Sequence, residues 1–184
     1  RIKDYIKHNG IEKRTKNIAG AKDLNIIDNT FDKDAYINQE IKNITLLKNN
    51  HIFDLGNMHV EVIPMEGHTK GSIGLLIKEH KLLFTGDAAI SMIWMFLKES
   101  TSKETYIKML QRVKELDFTH FITGHLMTVF EKKFFDYYLE VATTATPENS
   151  ERVTFKNFER PNTFQYAKKF GEYNIGICYQ EPKE

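Results

Sequence analysis

An α/β fold is what the 184 residues predict, and three observations carry that expectation. Short apolar runs at Met58 to Pro64, Ser72 to Lys78 and Lys81 to Thr85 alternate with polar, glycine-containing turns, which is the pattern of strands. After them, Tyr106, Leu110, Val113 and Leu116, with Ile107 beside them, recur at helical spacing. A further apolar run, Phe118 to Thr123, follows that helix at once. Strand, helix and strand in succession read as a crossover unit, whose two strands are parallel if they share a sheet.

The elements follow in order. Ile2, Tyr5 and Ile6 have helical spacing and are stopped by Asn9-Gly10. Ile11 to Asn43 is polar, lysine-rich and poorly periodic, and reads as a connector holding Ile26-Ile27 and one short helix around Ala35 to Ile41. Asn43 to Leu47 and Ile52 to Leu55 lead into the sheet, and Gly56-Asn57 makes a tight hairpin turn. The run from Met58 carries Val60 and Val62 on one face. Glu66 to Gly71 is too polar and glycine-rich to be strand, so it turns the chain at His68. Only Glu79-His80 separates the next two runs, which predicts a hairpin ending at Asp87. His68 and Asp87 therefore end on the same sheet edge.

Ala88 to Leu97 is unusually apolar for a loop leaving such an edge. It reads either as a buried segment under the crossover helix or as an apolar wall holding the organic part of a substrate. Nearness to Asp87 favours the wall, with Met92, Trp94 and Phe96 as its residues. Thr101 to Glu104 has the form of a capping box, with Thr101 as N-cap. Phe118 to Thr123 ends at Gly124-His125, and the carboxyl ends of parallel strands share the edge where ligands bind. Two imidazoles and a carboxylate are thus expected together.

Beyond them, Phe130 to Ala142 reads as an amphipathic helix with Phe130, Phe134, Tyr138 and Val141 in its core stripe. Thr143 to Glu151 is a loop around Pro147, and Arg152 to Phe155 and Asn174 to Tyr179 are strand-like.

Composition narrows the class. Lysine and arginine (26) nearly balance aspartate and glutamate (25), so no net field draws the chain to nucleic acid or a membrane surface. A nuclease would want a basic groove with exposed aromatic residues, and none is localised. The single cysteine, Cys178, allows no internal disulfide and suits a reducing, cytoplasmic setting. No apolar run approaches the roughly 18 residues of a membrane span. The expected organisation is a single domain over 1–184.

Imidazole and carboxylate are the ligands that divalent metals take at neutral pH. His8, His51, His59, His80 and His120 have no such setting and read as ordinary surface or core histidines. The three ordered motifs G-H-T-K-G-S, F-T-G-D and I-T-G-H resemble the metallo-β-lactamase superfamily of binuclear metal hydrolases, over about Ile44 to Val141. That resemblance implies a four-layer αββα sandwich. It implies that His68 binds one metal, that Asp87 bridges two, and that His125 binds the second. Its H-x-H-x-D-H motif does not occur in these residues, so the chain is expected to be the C-terminal portion of such a domain, lacking the N-terminal part. Glu66 and Leu126 also depart from the family pattern, in loop shape rather than in ligation.

The implied cofactors are two divalent metals, zinc first, with iron or manganese as alternatives. The implied function is hydrolysis of a small ester, thioester, lactone or amide by a metal-bound hydroxide, because coordination lowers the pKa of water from about 15.7 toward roughly 7. No catalytic residue beyond the ligands is expected. Activity is expected of the full-length protein, while this chain alone is expected to be incomplete and inactive and to hold metal weakly or not at all. Two alternatives stay open: iron-dependent redox chemistry on the same scaffold, and a metal-free, non-catalytic binding or structural segment.

Overall fold

The computed structural model describes residues 10–12, 14–20, 30–39, 45–155 and 162–180. The chain divides into two compact units, Arg1–Leu46 and Leu47–Glu184. In the first, residues 10–12 and 14–20 are helical, where connector was expected from Ile11 onward. Lys16 bonds Glu12 at 2.9 Å one turn away, a pairing that adds modest support to that helix. The short helix expected around Ala35 to Ile41 is Lys33–Ile37. Asp32 caps it by accepting from the Ala35 amide at 2.9 Å, and Asn38 ends it. Arg14 donates to the carbonyls of Ile37 and Gln39, joining the two helical pieces. The helix expected at Ile2, Tyr5 and Ile6, and the pair Ile26-Ile27, lie outside the described residues.

The second unit contains two sheets. Strands β1 (Ile52–Asp54), β2 (His59–Pro64), β3 (Ile73–Ile77), β4 (Leu82–Gly86), β6 (His120–Thr123) and β7 (Val129–Glu131) form a six-stranded sheet in that order. Strand β5 (Met92–Met95) pairs in parallel with β10 (Tyr173–Gln180), followed by β9 (Thr163–Phe170) and β8 (Glu151–Val153). Two helices complete the unit, α1 (Lys103–Lys114) and α2 (Phe134–Thr144). The crossover expectation holds: β4 and β6 are joined through α1 and pair in parallel. Both hairpins, β1–β2 and β3–β4, are also in place. Residues 45–47, expected to enter the sheet, carry no strand.

Strand alternation sends Ile63, Leu76, Leu83, Phe121 and Phe130 into one buried cluster with Tyr106, Met109, Leu110 and Val113 of α1. Phe134, Phe135, Tyr138 and Val141 of α2 join it, as do Ile93, Met95, Ile175, Ile177 and Tyr179 of the second sheet. One core therefore holds both sheets and both helices.

Three local expectations need correction. Ser102, not Thr101, caps α1: its hydroxyl accepts from the Thr105 amide at 3.3 Å. Thr101 is held in the preceding loop, where its amide donates to the Gly67 carbonyl at 3.0 Å. Phe130 is not helical. It sits in β7 opposite Phe121, the two rings stacking at 5.3 Å, and α2 starts only at Phe134. Lastly, β9 was not anticipated; it turns at Gly171 (φ +62°) and pairs along the whole of β10.

Candidate metal centre

Each expected ligand follows a glycine, and at two of them another group fills the space of the missing side chain. A Cβ on Gly67 would lie 2.5 Å from the Tyr106 ring, so the turn bearing His68 packs flat on α1. A Cβ on Gly124 would lie 2.7 Å from Asp87 Oδ1, so the strand end bearing His125 lies directly against that carboxylate. The Gly124 amide also donates to the Gly86 carbonyl at 2.8 Å, joining the ends of the two parallel strands. Gly86 itself has φ +52°, which bends β4 just before Asp87.

The three side chains meet around Asp87. His125 Nε2 lies 3.0 Å from Asp87 Oδ1, and His68 Nε2 lies 3.8 Å from Oδ2. His68 is the enclosed member, with 18% of its side chain exposed, against 41% for Asp87 and 67% for His125. Each oxygen of the carboxylate thus faces a different imidazole. Among the described residues, no three His, Cys, Asp or Glu side chains close around a single point. The two imidazoles share one carboxylate.

His68 is oriented by a group that sequence inspection missed. Its Nδ1 lies 2.8 Å from the backbone carbonyl of Trp94. A carbonyl only accepts, so Nδ1 carries a hydrogen, and in the neutral imidazole Nε2 presents its lone pair toward Asp87. Two acceptors then face one another across a gap longer than a hydrogen bond but shorter than two metal–ligand bonds of about 2.0–2.2 Å. A cation fits there. No sequence motif signals a backbone carbonyl, which explains the omission. Ser100 adds a second hold, its hydroxyl donating to the His68 carbonyl at 2.8 Å. Tyr106 links both halves of the site: its ring covers Gly67 and its hydroxyl donates to the Ala88 carbonyl at 2.9 Å, one residue past Asp87.

The segment read as a substrate wall contains strand β5, with Phe96 just past its end. Phe96 is 1% exposed and stacks on Phe155 at 4.5 Å. The Trp94 ring lies 5.3 Å from both, and the Met92 side chain lies over Gly176. Trp94 and Met92 keep partial exposure. The remaining described histidines lie elsewhere: His59 bonds Glu79 at 2.7 Å, His51 packs edge-on against Phe53, and His120 bonds Thr119 at 2.9 Å. His80 is in the turn between β3 and β4, and His8 lies outside the described residues.

The Metallo-beta-lactamase superfamily model matches residues 4–125. An acyl-coenzyme A thioesterase from Gallus gallus, MBLAC2, is 34% identical over 71 residues, which cover 39% of this chain and 26% of that protein. A metallo-beta-lactamase from Pontibacter korlensis is similar in structure at a TM-score of 0.48 and 12% identity, over 70% of this chain and 63% of that one. ETHE1 from Myxococcus xanthus has a TM-score of 0.45 and 21% identity, over 55% of this chain and 47% of that one. The chain thus spans about a quarter of the thioesterase and roughly half to two thirds of these solved structures. Because the family match runs through all three motifs and ends at His125, the last residue of the shared-carboxylate site, this chain belongs to the metallo-beta-lactamase superfamily.

Proposed function

We propose that His68, Asp87 and His125 contribute to a two-metal hydrolytic centre that acts on a small ester, thioester, lactone or amide. The observation that carries this reading is the division of Asp87, one oxygen toward each imidazole. His68 holds its Nε2 lone pair in place through Trp94, and Asp87 supplies the negative charge that two cations share. When bound, divalent metal supplies Lewis acidity toward water and toward the carbonyl oxygen under attack. Zinc suits two imidazoles and a carboxylate, and iron or manganese share those ligands. Met92 and Trp94, the partly exposed members of the wall, would hold the organic part of the substrate. The MBLAC2 similarity favours thioesters within the substrate class, and the single buried cysteine favours the cytosol.

The test is metal analysis and turnover on the same purified protein. The whole protein is expected to take up divalent metal and to hydrolyse at least one member of an aryl ester, acyl thioester and lactone panel. Asp87→Asn should lose turnover by more than the roughly 10–100-fold that outer-shell changes cost. A folded wild type that takes up no metal favours the metal-free binding role instead. Recovery of iron with oxygen or sulfur chemistry, and no hydrolysis, favours the redox reading.

A further inference from the structure

Helix α1 reaches the His68 turn through a side chain that the site does not otherwise use. The Arg112 guanidinium donates from Nη1 to Glu66 Oε1 at 3.0 Å and from Nη2 to Glu66 Oε2 at 2.9 Å. Nη2 also donates to the Pro64 carbonyl at 2.6 Å. Pro64 ends β2, and Glu66 stands two residues before His68, so one fork grips the start of the turn at two points. A planar guanidinium on a carboxylate fixes orientation as well as distance, which a single hydrogen bond does not. Arg112 is itself anchored, because Met109, Leu110 and Val113 around it on the helix are fully buried. The far side of the same turn is held separately, by Thr101 on the Gly67 carbonyl, Ser100 on the His68 carbonyl and the Lys70 amide on the Glu99 carbonyl.

We propose that Arg112 is a positioning residue for the metal centre. By gripping Glu66 and Pro64 it holds the β2–β3 turn where His68 keeps Nδ1 on Trp94 and Nε2 toward Asp87. The metal part of this statement rests on the proposed function; the hold on the turn does not. The Arg112 and Glu66 side chains are 47% and 27% exposed, and ion pairs in such settings contribute little to global stability. Loss of the pair therefore leaves the protein folded, and a change at His68 is read without interference from unfolding.

The experiment uses the whole chain with Arg112→Met, which keeps the aliphatic stem, and Arg112→Lys, which keeps the charge without the fork. Lys81→Met, which breaks the 3.0 Å pair with Asp117, is the control. In metal-free protein, imidazole nitrogen chemical shifts report the His68 tautomer, and hydrogen exchange is followed at the Gly67, Lys70 and Ser72 amides. Cobalt(II) titration, read by visible absorption, reports the site. Arg112→Met should mix the two His68 tautomers, speed exchange in the turn and weaken cobalt binding about 10-fold, the low end of outer-shell effects. Arg112→Lys should recover only part of this, and Lys81→Met should change nothing. Wild-type tautomer and exchange in Arg112→Met overturn the proposal. If wild type takes up no cobalt, the metal reading fails, and the tautomer and exchange data alone decide whether Arg112 holds the turn.

Discussion

At the scale of single residues, the site depends on what is absent as much as on the ligands. Gly124 leaves room for the Asp87 carboxylate, so Gly124→Ala should drive that carboxylate off its place between the imidazoles. Gly71 lies in the His68 turn with nothing within 4 Å of its notional Cβ. Gly124→Ala should therefore abolish most metal uptake while Gly71→Ala keeps it, as equilibrium titration with cobalt(II) would read. Tyr106 offers a second test. Tyr106→Phe keeps the ring over Gly67 but leaves the Ala88 carbonyl without its 2.9 Å donor in a buried setting. Such an orphaned acceptor costs about 1–3 kcal/mol, to be measured by urea unfolding. Burial also pushes the Tyr106 hydroxyl well above its ordinary pKa, so it serves as a neutral donor throughout the working range.

At the scale of elements, helix and strand ends carry the specificity. Ser102→Ala should destabilise the protein by about 1 kcal/mol through the lost cap of α1, and Thr101→Ala by distinctly less. The important contact of Thr101 is made by its backbone amide, which alanine retains. Denaturant midpoints of the two variants separate the structure's cap from the one that the sequence pattern favours. At the opposite end of the sheet from His68, His59 of β2 is bonded to Glu79 of the β3–β4 turn. Its hydrogen bond to His59 lowers Glu79 to a pKa of about 2, and the same bond raises His59 above its ordinary value. The glutamate's contribution is present above its unfolded pKa and fades as pH falls toward about 2. That of histidine is present below its unfolded value near 6.5 and fades as pH rises through its raised folded value. The stability difference between wild type and His59→Gln should therefore be largest near pH 5–6, shrinking toward both ends, with a small amplitude because both groups are solvent-exposed.

At the scale of the whole molecule, metal and stability are linked. A ligand that binds only the folded chain adds about 2.7 kcal/mol at a hundred times its Kd. Zinc should therefore raise the Tm of wild type and leave that of Asp87→Asn unchanged in the same scan. Among the described residues no helix is long and apolar enough to cross a membrane. One face of the six-stranded sheet also stays apolar at the surface. Phe53, Ile73, Phe84 and Val129 are each at least 36% exposed, and their paired registers place them on the side away from Leu83 and Phe121.

Much of this was legible in the residues because it depends on local pattern. The β2–β3–β4 run, the crossover through α1 and the parallel pairing of β4 with β6 all follow from apolar periodicity and short polar turns. The same pattern brings His68, Asp87 and His125 to one edge, because two parallel strands end there and a hairpin returns there. What lay beyond it depends on partners distant in the chain. Phe130 has a helical neighbourhood in sequence, yet pairing with Phe121 makes it a strand residue. Strand β9 carries three consecutive polar or small positions, Ala167, Lys168 and Lys169, and is a strand because β10 offers it a full ladder. Trp94 was read for its ring, whereas its carbonyl is what orients His68. Arg112 and Glu66 are 46 residues apart and meet only when α1 packs on the sheet. Periodicity reports which face of an element is buried; which backbone atom or distant charge it then meets is set by how the elements are stacked.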